Sequence, residues 1–221
     1  MEGKGWIGRF YRSTVGRKIV MAVTGAILVG FVIGHMTGNL LVFKGPDAIN
    51  SYSRFLHSTG ELLWAVRAVL LVSVVLHVHS AYTLTRAARA ARPAEYAERE
   101  GQVTTFSARS MRWGGVLLLL FVVYHLLHFT TGTVHPFFVP GDVYANIVVG
   151  FSVPAVVAFY LAAMAALALH LHHGVSSLFQ TLGANHPHWN PGRRRLATLL
   201  AVVVPVGFAA IPVAVVLRLL W

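Results

Sequence analysis

Four histidines, His35, His77, His125 and His170, stand inside long apolar stretches of this 221-residue chain. An ionisable side chain within a bilayer is costly, so it is rare and usually functional. Neutral imidazole is the commonest metal ligand among side chains and can also relay protons. Cysteine is absent, which excludes disulfides, thiolate ligation and cysteine-held iron–sulfur clusters. Covalent haem attachment through a C-x-x-C-H motif is excluded with them. Any redox cofactor must therefore be held by imidazole.

The helical rise of ~1.5 Å per residue gives each histidine a depth. His35 follows Lys18 by about 17 residues, so it lies ~25 Å above the basic end of its stretch; His125 follows Arg112 and lies ~20 Å up. His77 precedes Arg86 and His170 precedes Gln180, each about 14 Å from the same end. The first and third stretches thus offer an upper pair of imidazoles, the second and fourth a lower pair. Two pairs at two heights are the donor set that two stacked b-type haems require. Iron with both axial positions filled by imidazole transfers electrons rather than binding oxygen. Gly30, Gly34 and Gly38 recur every fourth residue beside His35. Such a strip can admit a flat macrocycle or simply pack another helix. His79 sits about 200° round the helix from His77, and His172 points away from His170. His173 shares the His170 face, and His128 lies one turn beyond His125. These extra histidines read as interfacial or propionate-bonding groups rather than iron ligands.

The elements that must position them follow from hydropathy. Hydrophobic residues make up 56% of the chain, and mean hydropathy is +0.66. About 20 apolar residues cross ~30 Å of hydrocarbon as a helix. Five stretches qualify: Ile19–Phe43, Leu62–Thr85, Trp113–Thr131, Val148–Leu178 and Leu196–Leu217. No strand pattern competes, so the expected fold is an all-α integral membrane bundle, a single membrane domain over residues 1–221.

The formal net charge is +11, yet its distribution points away from nucleic acid. The basic residues concentrate before the first span (Lys4 to Lys18), between the second and third (Arg86 to Arg112), and before the fifth (Arg193 to Arg195). With five spans those segments share one side. The positive-inside rule makes that side cytoplasmic, with the C-terminus outside, in the cell's inner membrane. Residues 1–18 form a basic arm with Trp6, Phe10 and Tyr11, suited to the headgroup level. No cleavable signal sequence is evident. Residues 44–61 read as a polar outer loop, and His135-Pro136 with Pro140-Gly141 as a turn-rich outer cap. Arg92-Pro93 should end the second span's inward extension, and Glu95 to Glu100 alternate in sign, as on a surface another subunit could cover.

The chain resembles the di-haem cytochrome b membrane anchor of succinate:quinone oxidoreductases, the type with one five-helix polypeptide. The matching pieces are Ile33-Gly34-His35-Met36, His77 with Ala81 and the basic exit Arg86 to Pro93, Tyr124-His125, and His170 with Gly174 and Gly183. The resemblance implies that His35 and His125 bind the distal haem, and His77 and His170 the proximal one. It implies a flavoprotein partner that oxidises succinate, an iron–sulfur partner that delivers electrons, a possible higher oligomer of complexes, and a quinone substrate, commonly menaquinone. Some members carry a glutamate two residues before the fourth ligand, where this chain has Ala168; a transmembrane proton route through that position is not expected here. An acidic residue near the distal haem of those members falls close to His57, which, with Glu61, is the quinone candidate.

Two other readings remain open on the sequence. One is the cytochrome b anchor of a hydrogenase or formate dehydrogenase. The other is a proton-coupled transporter using its histidines as a relay, which the lack of carboxylates inside the spans disfavours.

Overall fold

The computed structural model describes residues 5–91 and 106–221. A short helix α1 (Trp6–Arg12) ends at Ser13, whose hydroxyl accepts the Gly16 N–H at 2.9 Å and starts α2 (Thr14–Asn39). This is an ordinary serine N-cap. A 3₁₀ turn (Leu40–Lys44) prolongs α2. Then come α3 (Pro46–Ser58), α4 (Glu61–Ala90), α5 (Phe106–His125) with a π turn (Leu126–Thr130), α6 (Val143–Gly150), α7 (Pro154–Thr181) and α8 (Asn190–Val216). Among the described residues, five helical segments are long and apolar enough to cross a membrane: Thr14–Lys44, Glu61–Ala90, Phe106–Thr130, Pro154–Thr181 and Asn190–Val216. The protein is an all-helical, multi-pass membrane protein.

The boundaries differ from the sequence expectation in instructive places. Helix α2 begins at Thr14, so Arg17 and Lys18 ride on the spanning helix rather than on the arm. Helices α5 and α8 likewise start earlier than Trp113 and Leu196. The stretch Val148–Leu178 is divided: α6 stops at Gly150, Phe151–Val153 turn, and α7 starts at Pro154. Val153 precedes a proline, which pushes it out of the helical region, and Pro154 is preorganised for a first helical turn. The polar loop 44–61 contains α3, which opens with the same device, Pro46 at its first turn behind Gly45. The expectations for Arg92-Pro93 and Glu95 to Glu100 fall outside the described residues.

Helix α7 is the hub, packing on α8, α5 and α2, while α4 packs along α2. Helices α4 and α5 share no extensive contact. Each therefore stands against the bundle by one flank: α4 buries only Ser73 and Ser80, and α5 only Ser107. Their apolar residues face outward, Leu71 at 67% and Leu120 at 60% exposure, as lipid requires. Buried small residues on the packed pair α7 and α8 (Ala163, Ala197, Ala201) let backbones approach.

Helices α3 and α6 interlock between spans. Asp142 caps α6 by accepting the Ala145 N–H at 3.0 Å. Its carboxylate also accepts the Asn50 amide at 3.0 Å, and Asn50 Oδ1 accepts the Tyr144 N–H at 3.1 Å. Gly38 lets Tyr52 of α3 close on α2, since a Cβ there would stand 2.6 Å from the tyrosine ring.

Candidate functional site

The four histidines meet in two pairs. The rings of His35 (α2) and His125 (α5) lie 5.8 Å apart between centroids at an interplanar angle of 83°. The rings of His77 (α4) and His170 (α7) lie 6.3 Å apart at 53°. A metal gripped from opposite sides at ~2 Å per imidazole nitrogen would hold the two ring centres about 6 Å apart. Ordinary aromatic packing also spans 4.5–7 Å, so the separation admits a metal without demanding one.

The surroundings of each ring carry more weight. His77 Nδ1 is 3.1 Å from the Met21 carbonyl and 3.3 Å from the Thr24 hydroxyl, both on α2. That bond, of the kind metal-bound histidines usually make, commits Nδ1 as a donor and leaves Nε2 free to accept a proton or a metal. Gly25 permits it, because a Cβ there would lie 3.3 Å from His77 Cε1. His125 Nδ1 is 3.3 Å from the Tyr160 hydroxyl. His35 Nδ1 is 3.3 Å from the Asn39 side-chain amide. His170 Nδ1 is buried without a partner, as is Ser80 Oγ, one turn beyond His77. Among the described residues no group of three or more His, Cys, Asp or Glu side chains could hold a metal ion. Paired imidazoles with no third ligand suit a metal that brings its own equatorial donors, which is what a porphyrin does.

A cavity of about 750 Å³ lies between α5 and α7, bordered by His170 but not by His77. Gly114, Ala162, Ala165 and Ala166 keep its walls flat beside His170, and Arg109 stands among its lining residues. No atom comes within 4 Å of a Cβ built on Gly30 or Gly34. Two glycines of the strip beside His35 therefore stay open, whereas Gly38 is used for packing.

A family model described as the succinate dehydrogenase/fumarate reductase transmembrane subunit matches residues 85–210, more than half of the chain. The chain belongs to that family. No curated protein and no solved structure matches it. Membership makes it a membrane subunit of an oxidoreductase complex, and it sets aside the hydrogenase-type anchor and the transporter. The matched segment contains His125 and His170 but not His35 and His77.

The other histidines are placed as follows in this transmembrane subunit. His79 faces away from His77, 2.6 Å from the Tyr11 hydroxyl of α1. His172 Nδ1 meets Ser107 of α5 at 3.2 Å. His57 is exposed on α3 with Nδ1 2.8 Å from the Ser53 carbonyl, and Glu61 begins α4, also exposed; neither touches the paired rings. His128 is fully buried, 0% exposed, and stacks on His135 at 4.9 Å. Tyr160 reaches both His125 and His128, at 3.3 and 3.0 Å. No local sequence pattern singles out Tyr160; the turn-rich segment around His135 is a cap as expected, and it buries the His135 ring. The π turn that follows His125 gave no sequence signal, although such turns cluster at functional sites.

Proposed function

We propose that this transmembrane subunit holds two b-type haems, one between His35 and His125 and one between His77 and His170. On this reading it carries electrons from an iron–sulfur partner to a membrane quinone, within a complex whose flavoprotein partner oxidises succinate. The observation that carries the reading is the double pairing: four imidazoles from four spans, ring to ring in two sets, with no third His, Cys, Asp or Glu grouped as a metal ligand among the described residues.

Haem held by the two histidine pairs would supply reversible one-electron transfer. The chain supplies the rest. Nδ1–H of His77 donates to the Met21 carbonyl, which fixes the tautomer and turns Nε2 inward. Glycine and alanine on α2, α5 and α7 leave flat walls. Arg109, which lines the cavity beside His170, would be the cation available to a propionate there. The basic ends of α2 and α8, with Arg86, Arg89, Arg109 and Arg112, would face the cytoplasm, where the iron–sulfur partner would dock, and the C-terminus would lie outside. His57 and Glu61 are the groups proposed to exchange protons with a quinone at the outer end.

The test is optical. Purified complex should show b-type absorption, two haems per copy of this chain, and two components in a redox titration, both reduced by succinate. A colourless chain, or one haem per chain, would sink the proposal. If His57→Ala leaves quinone reduction and its pH dependence unchanged, the outer quinone assignment goes while the haem assignment stands.

A further inference from the structure

A single phenol hydroxyl joins a haem-facing histidine to a second histidine buried deeper in the outer end of the bundle. Tyr160 is 6% exposed and His128 is 0% exposed. The tyrosine ring is held by Phe121 and Phe151, each edge to face at 4.9 Å and 84°, so the hydroxyl has little freedom to swing. It lies 3.3 Å from His125 Nδ1 and 3.0 Å from His128 Nδ1.

We infer that Tyr160 is the positioning residue of the upper haem, accepting the Nδ1–H of His125 while donating its own proton to His128. This rests on the two-haem reading above. The order of protons follows from the donor inventory. If His125 gives Nε2 to iron, its Nδ1 must carry a proton and can only donate. The Tyr160 oxygen then accepts, and its one O–H must go to the remaining neighbour, His128 Nδ1. That nitrogen is therefore bare, and the His128 proton sits on Nε2, which is buried without a partner. Every proton in the three-residue chain is assigned once iron takes His125.

The rest of the cluster fixes His128 without competing for its Nδ1. His135 packs against its ring, and its own nitrogens are both used: Nε2–H donates to the Asn146 carbonyl at 2.8 Å, and Nδ1 accepts the Phe137 N–H at 3.2 Å. Gly150 makes room, since a Cβ there would stand 2.9 Å from the His128 ring.

A donated Nδ1–H makes an axial imidazole more basic, which favours ferric iron and lowers the potential. Removing the acceptor should raise it. The expected result for Tyr160→Phe, in the purified complex, is a higher midpoint potential for one haem component and an unchanged second component. His35→Ala, which empties that site, identifies the component. His128→Leu should move the same component, whereas His128→Gln, whose amide oxygen can still accept the tyrosine proton, should restore the wild-type potential. A rise in potential confined to the upper haem supports the inference; a fall in it, or loss of that haem in both Tyr160→Phe and His128→Leu, overturns it. Unaltered potentials in Tyr160→Phe, or equal disturbance of both haems, overturn it, as does a shift in His128→Gln equal to that in His128→Leu. If the wild-type complex holds no haem, it is the functional proposal that has failed; if it holds two and Tyr160→Phe moves neither, only this inference has.

Discussion

His77 on α4 takes its orientation from Met21 on α2, through a 3.1 Å contact between Nδ1 and a main-chain carbonyl. The helix that carries one upper histidine thus also aims a lower one, and the two sites share α2 as a common wall. Near Met21, Gly25 is the position where that aim can be tested. A methyl group there would stand 3.3 Å from His77 Cε1, and a valine would displace the ring. Gly25→Val should alter the spectrum or the occupancy of the lower haem and spare the upper one. Loss of both haems would mean that Gly25 serves helix packing instead.

The pairing predicts a pattern among single histidine variants. His35→Ala and His125→Ala should remove the same haem component, and His77→Ala and His170→Ala the other, as read by haem extraction and low-temperature spectra. His79→Ala should keep two haems, because that ring faces Tyr11 on α1. Should His77→Ala retain both and His79→Ala lose one, the lower ligand on α4 has been misassigned.

The spans and the pairing of the four histidines are legible in the sequence, and the reason is the cost of polarity in lipid. Burying a histidine in a span is expensive enough that His35, His77, His125 and His170 stand out against leucine and valine, and the apolar runs fix the spans to within several residues. What escaped was held by side chains distant in sequence. Asn50 binds Asp142 and Tyr144 across more than ninety residues, so α3 and α6 looked like separate loops. Tyr160 joins His125 and His128 from another helix, and nothing in the local pattern around a tyrosine amid alanines and valines announces that. The break before Pro154 was written in the sequence, but continuous hydrophobicity from Val148 onward hid it.

The α3–α6 clasp should respond to acid. The Ala145 N–H, and next the Asn50 amide, hold the Asp142 carboxyl below the usual carboxylate range. A depressed folded-state value contributes stability that is present above the unfolded value near ~4 and is lost as pH falls through the folded one. The clasp should therefore loosen only in strong acid, seen as faster amide exchange over residues 142–146. Asp142→Asn should abolish this pH dependence while keeping a capping oxygen. An equal acid response in Asp142→Asn would place the titrating group elsewhere.

Gly150 is a packing position with consequences for the buried histidines. It ends α6 in contact with both His128 and His135, and a Cβ would meet their rings at 2.9 and 3.0 Å. Neither ring can retreat easily. His135 is tied at both nitrogens, and His128 is packed against Phe129 at 4.1 Å as well. Overpacking of this kind costs about 1–3 kcal/mol. Gly150→Ala should lower the thermal midpoint of the detergent-solubilised complex, and, because His128 is pushed toward Tyr160, it should disturb the upper haem before the lower one. Thermal release of the two haems, followed separately, would show it: simultaneous release at the wild-type temperature would mean that the outer end tolerates the extra methyl group.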